Sequence, residues 1–163
     1  MSAAEVAYAS LLVITMTAIA LDATIFTMGY ARLDSTTRDA ARAAASHRKN
    51  SAVDAPYPAT ACASALQAAQ TQCTVHSTDG FFIKQPYLTG TTAPYFVYQD
   101  YGNTTPAGNQ SPYVTVTCSE VMVLPIPINF FGRSFGSFLQ SGNQITLSRQ
   151  YIFPIIKTAY YGT

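Results

Sequence analysis

Residues 6–31 read VAYASLLVITMTAIALDATIFTMGYA, 26 residues in which Asp22 is the one charge. As an α-helix, at about 1.5 Å per residue, this stretch is roughly 39 Å long, more than the ~30 Å hydrocarbon core of a bilayer. The helical signal continues beyond it. Residues 31–50, ARLDSTTRDAARAAASHRKN, are rich in Ala, set Arg38 and Arg42 four residues apart, and hold no Gly or Pro between Ala31 and Lys49. Helix formers therefore run from about residue 2 to 49, apolar in the first half and amphipathic in the second. Pro56 and Pro58 end the run. A helix of roughly 70 Å cannot bury itself in a head whose radius of gyration is about 13 Å. The apolar half must project into a membrane or into a bundle of like helices. The chain thus divides into a long helix, 1–50, and a head, 51–163.

The composition agrees with that division. Only 10% of the 163 residues are charged, while 48% are hydrophobic. Soluble domains carry roughly 25% charged residues, and disordered chains combine low hydrophobicity with high charge. Nine Lys/Arg against eight Asp/Glu leave a net charge of +1, so there is no electrostatic footprint for nucleic acid and none is expected as a partner. The single long apolar stretch excludes a multi-span membrane protein.

After the proline break, Ala59–Gln72 reads as a second, Ala-rich helix. Beyond it the pattern changes to strands. In Ser111–Val123, Val114, Val116 and Cys118 alternate with Thr115, Thr117 and Ser119, a period of two. Gly80–Gln85, Ala93–Tyr98 and Gln144–Ile156 are further strand candidates, and Pro154 argues for an edge or an irregular ending to the last. The apolar, Gly-punctuated stretch Val123–Gly142 is hard to assign and reads either as a loop packed on the head or as an inter-subunit contact. The expected fold class is α+β: a long N-terminal helix plus a small head with a second helix and an antiparallel sheet of about four strands.

No Lys or Arg precedes Arg32, whereas Arg32, Arg38, Arg42, Arg48 and Lys49 follow the apolar stretch. For an unprocessed chain this charge order would place the C-terminal part in the cytoplasm. The sequons Asn103-Thr104-Thr105 and Asn109-Gln110-Ser111 suit an exported head better, and Asn103 and Asn109 are its candidate glycosylation acceptors. Removal of a basic leader before Met1 reconciles the two.

Met1-Ser2-Ala3-Ala4-Glu5-Val6, followed by the apolar run through Leu21, resembles the mature N-terminus of a type IV pilin. Tyr30-Ala31-Arg32-Leu33 and Asp39-Ala40-Ala41-Arg42-Ala43-Ala44-Ala45 are similar to the tight-adherence (Tad) branch, particularly its minor-pilin-like proteins. The resemblance covers about the first 45 residues, and Asp22 stands where many pilins carry Pro. It implies cleavage by a prepilin peptidase before Met1, N-methylation of Met1, and insertion in the inner membrane before assembly. It further implies that the pilus assembly machinery builds a homopolymeric extracellular filament with the long helix as its core.

Glu5 has a physical role whatever the family. A carboxylate at the centre of a bilayer costs about 2.5–3.5 kcal/mol, and less near its edge. The nearest cation is an α-amino group, of the same chain or of a neighbouring one. Pairing with a neighbour would fix the axial register between copies. A helix N-terminus also favours an acidic residue, and that reading is compatible with the first. Asp22, 17 residues on and about 1700° around the helix, does not share the face of Glu5. It either pairs across subunits with an Arg such as Arg32, or sits in a polar break flanked by Thr15, Thr17, Thr24 and Thr27, or marks the aqueous edge of a membrane segment ending at Leu21. Ala3, Ala7, Ala18, Ala40, Ala43 and Ala44 would let helices approach closely. Tyr8, Phe26 and Tyr30 are expected in packing rather than in electron transfer.

Three cysteines allow at most one internal bridge. Cys62 and Cys73 on one helix would stand about 16 Å apart, too far for a disulfide. Cys73 is expected past the helix end and Cys118 on a strand, so Cys73–Cys118 is the preferred disulfide and Cys62 a buried thiol. A break in the second helix would restore Cys62–Cys73. No metal spacing occurs, no cofactor is implied, and His47 and His76 are expected as structural histidines. Phosphate-binding and nucleophile motifs are missing, and Gly132 and Gly136 are turn residues. The head carboxylates Asp54, Asp79, Asp100 and Glu120 form no recognisable acid/base pair. No enzymatic activity is expected. The expected function is a structural pilin subunit for adhesion at the cell surface. The alternatives are a minor or tip pilin or pseudopilin of a Tad or secretion system, and a monomeric membrane-anchored binding domain.

Overall fold

A computed structural model describes residues 2–46, 63–75, 79–99, 111–125, 139–141 and 143–155. Its first element, α1, runs from Ala3 to Ser46, 44 residues and about 66 Å. The two halves of α1 have different surroundings. From Ser2 to Thr24 no residue is buried, whereas Ile25, Gly29, Leu33, Thr36, Thr37, Ala40, Ala41, Ala44 and Ala45 form a buried stripe at three- and four-residue spacing. The amphipathic half of the helix is thus part of the head's core, and the apolar half stands clear of it.

The second helix, α2, spans Ala63–Val75 and packs on α1 through alanines. Ala40, Ala41 and Ala44 of α1 and Ala65 and Ala69 of α2 are all fully buried. Side chains this small let the two backbones approach closely. Ala40 and Ala44, expected to serve close helix packing, do so inside the subunit. The sequence places the end of α2 at Gln72, before Cys73. Instead the helix continues to Val75, and Cys73 is buried on it against the sheet. Tertiary packing here overrides the weak helix propensity of Cys, Thr and Val.

Five strands form one antiparallel sheet: β1 (Tyr87–Leu88), β2 (Phe96–Gln99), β3 (Tyr113–Val123), β4 (Leu139–Ser141) and β5 (Gln144–Pro154). β1 and β2 lie end to end along one edge of β3, with Leu88 beside Cys118 and Phe96 beside Val116. The other edge of β3 pairs with β5 over its full length, from Tyr113↔Pro154 to Val123↔Gln144. β4 closes the order beyond β5. Five strands therefore occupy four lanes, consistent with the α+β class.

Two strand assignments change and two strands are added. Gly80–Gln85 forms no strand, only the bridge Ile83↔Met122. A Gly80 N–H to Ile83 carbonyl bond of 2.9 Å curls it, and the Asp79 carboxylate accepts the Gln85 N–H at 2.8 Å. Ala93–Tyr98 narrows to β2, starting at Phe96 and ending at Gln99. β1 and β4 are additions, β4 from within the unassigned stretch Val123–Gly142. Pro154 is the last residue of β5, where a missing N–H costs no interior ladder bond.

Candidate functional site

The first feature is the projecting half of α1. Its most apolar 18 residues have a mean hydropathy of 1.9 and are 6% buried, so α1 is long and apolar enough to cross a membrane. Val6, Tyr8, Leu11, Leu12, Val13, Ile14, Met16, Ile19 and Leu21 are all exposed. Its hydroxyls turn back on the helix. Ser10, Thr15, Thr17 and Thr24 each donate to the carbonyl four residues earlier, at 2.7–2.8 Å, and Thr27 donates to Thr24 at 2.9 Å. A hydroxyl bonded to its own backbone no longer needs water. The threonines around Asp22 thus keep their hydroxyls on the helix backbone. Tyr8 and Phe26 are exposed and do not pack in the head, while Tyr30 lies under the Arg149 guanidinium, 5.1 Å from its ring centre.

Glu5 closes the N-terminus of α1. Its Oε2 accepts the Ser2 N–H at 2.7 Å, and the Ser2 hydroxyl accepts the Glu5 N–H at 3.3 Å. This reciprocal pair is a capping box, and Ser2-x-x-Glu5 carries its signature in the sequence, where attention to Glu5 alone misses Ser2. Met1, Asn103, Asn109, Cys62, His47, His76, Gly132 and Gly136 lie outside the described residues.

Asp22 sits three residues before Ile25, at the start of the buried stripe, half-buried, and its Oδ1 has no hydrogen-bond partner. Arg32, the cross-subunit partner considered for it, turns toward its own head. Its Nε lies 3.6 Å from Oε1 of Glu120 on β3. Glu120 is the second feature. Its side chain is 0% exposed, and neither carboxylate oxygen accepts a hydrogen bond. Burial pushes its carboxyl up to about 7, with Arg32 pulling the other way.

Beyond Arg32 an ordinary polar network holds α1 to β5. The Tyr151 hydroxyl donates to Asp34 Oδ1 at 2.7 Å, and Arg149 Nε donates to the same oxygen at 3.1 Å. The Tyr151 bond, then Arg149, keep the Asp34 carboxyl below its usual range. Arg38 reaches Asp34 at 3.3 Å and lies over the Tyr151 ring.

Cys73 and Cys118 are brought together as expected. Their Sγ atoms are 3.3 Å apart and both residues are buried. A disulfide is about 2.05 Å long, so the expected bridge stands here as a thiol pair in contact. The contact with Cys118, reinforced by burial, pushes the Cys73 thiol up.

Among the described residues, no three His, Cys, Asp or Glu gather to hold a metal ion. Together these features define an α+β head carried on a helix whose outer half is apolar and uncovered. Comparison with protein-family models, curated proteins and solved structures finds no match to this chain.

Proposed function

We propose that the chain is a structural pilin subunit. The apolar half of α1 holds it in the cytoplasmic membrane before assembly. It then packs against the same half of other copies in an extracellular, Tad-like filament used for surface attachment. One observation carries this reading: a single helix is head core over residues 25–45 and uncovered over residues 2–24, with its hydroxyls bonded internally. Such a surface calls for lipid or other apolar helices. Both environments are required in turn of a subunit that leaves a membrane to enter a filament.

The resemblance of Met1–Val6 to a processed pilin adds the partners, a prepilin peptidase and a pilus assembly machine. Mass spectrometry of the N-terminal peptide from the native protein tests this reading. An N-methylated Met1 is the expected result. A chain that retains a leader ahead of Met1 would contradict it.

A further inference from the structure

The even-numbered residues of β3 face α1. Val114, Val116, Cys118 and Met122 are fully buried there, and Glu120 occupies the same apolar row. Cys118 and Met122 flank it along the strand, and Leu147 of β5 lies directly beside it. Extending the β1 pairing by one residue from Tyr87↔Ser119 brings the fully buried Pro86 to its other side. Arg32 of α1 closes the site from above at 3.6 Å, beyond the ordinary length of a charge-assisted hydrogen bond. One turn earlier on α1, Gly29 touches Met122 so closely that an added Cβ would overlap the Met122 sulfur. The helix is thus seated hard against the sheet beside a carboxyl with no hydrogen-bond acceptor role filled.

We infer that Glu120 is a proton-operated latch between α1 and β3, closed when its carboxyl is protonated and loosened when it ionises. A neutral carboxyl fits an apolar cage at modest cost, whereas a carboxylate there needs hydrogen bonds that this packing does not supply. Ionisation draws Arg32 and water inward and works against the Gly29–Met122 contact. The other titratable groups on the elements packed around the site are Arg149, Cys73 and Lys84. Arg149 on the α1 side of β5 bonds Asp34 and lies over Tyr30. Cys73 of α2 meets Cys118, and Lys84 approaches β3 through its backbone N–H to the Val121 carbonyl. β2 presents the buried Tyr98.

Below pH 4.5 the folded and unfolded chains both hold the proton, and the latch contributes fully. Between 4.5 and about 7 the unfolded chain loses it first, so stability falls as pH rises. Above about 7 the loss is complete, at tenfold in the unfolding equilibrium per pH unit crossed, roughly 300-fold in all. The inference does not depend on filament formation.

The test is unfolding of the full-length chain in detergent micelles from pH 4.5 to 8.5, wild type against Glu120→Gln. The wild type should lose between tens and hundreds of fold in its unfolding equilibrium relative to the variant, and Arg32→Gln should move the midpoint of that loss upward. The ¹³C carboxyl resonance of Glu120 in the wild-type chain should titrate near neutrality. Parallel pH profiles for wild type and Glu120→Gln, or a Glu120 resonance titrating near 4.5, would overturn the inference.

Discussion

Glu5 has two roles that a single substitution can separate. As a capping-box residue it needs only a side-chain oxygen aimed at the Ser2 N–H, which Gln also supplies. As a charge partner for a neighbouring α-amino group it needs the carboxylate. Glu5→Gln is therefore expected to keep the helix end folded yet abolish filaments, Glu5→Ala is expected to abolish them too, and both should remain in the membrane fraction. Filaments at wild-type yield from Glu5→Gln would reduce Glu5 to a cap. Ser2 and Glu120 were both legible in the sequence. Ser2-x-x-Glu5 is a capping signature, and Glu120 continues the period-two row of Val114, Val116 and Cys118. What the sequence does not show is that Arg32 stands over Glu120, because that depends on how far α1 slides along the sheet.

At the scale of elements, that sliding is fixed by the Gly29–Met122 contact. Replacing Gly in a helix normally gains about 1 kcal/mol of propensity. Here the gain is outweighed, because a large side chain at this position must displace the fully buried Met122 side chain from the core. Gly29→Leu is expected to destabilise the head by about 3 kcal/mol, as overpacking a filled core does. Denaturant unfolding in micelles checks this, and a neutral or stabilising result would mean that helix and sheet are not in firm contact. The thiol pair gives a second test. Mild oxidation of the reduced chain should join Cys73 to Cys118 without other movement. The bond closes a loop of 45 residues, worth about 4 kcal/mol on chain-entropy grounds. Peptide mapping of the oxidised and reduced protein reads the bond, and predominant linkage through Cys62 would contradict this placement.

Long periodic elements were the legible ones. α1, β3 and β5 follow from runs of helix formers and from alternation, because each is long enough for its pattern to outvote local exceptions. The elements missed or misplaced are short or held by tertiary pairing. β1 has two residues and β4 three, and they are strands because β3 and β5 lie beside them. Gly80–Gln85 is apolar enough to read as a strand and bonds β3 through Phe82 and Lys84, but a backbone turn and the Asp79 side chain take the Gly80 and Gln85 N–H groups and leave only a bridge.

For the molecule as a whole, the low charge has a structural meaning. Nine of the 17 charged residues lie in the first 50 positions, and within α1 most of them cluster where helix meets head. That cluster lies in the half of α1 that carries the buried stripe, and the half before it is apolar and uncovered. The head tightens in acid through the Glu120 latch. The central claim is that copies of this chain cover one another's apolar helices. It is tested most directly by shearing the native cells and determining the structure of the released material by cryo-electron microscopy. The account predicts filaments of this chain with residues 6–21 of α1 packed against neighbouring copies along the axis. Recovery of the chain solely as a monomer in the membrane fraction, with no filament containing it, would contradict the account.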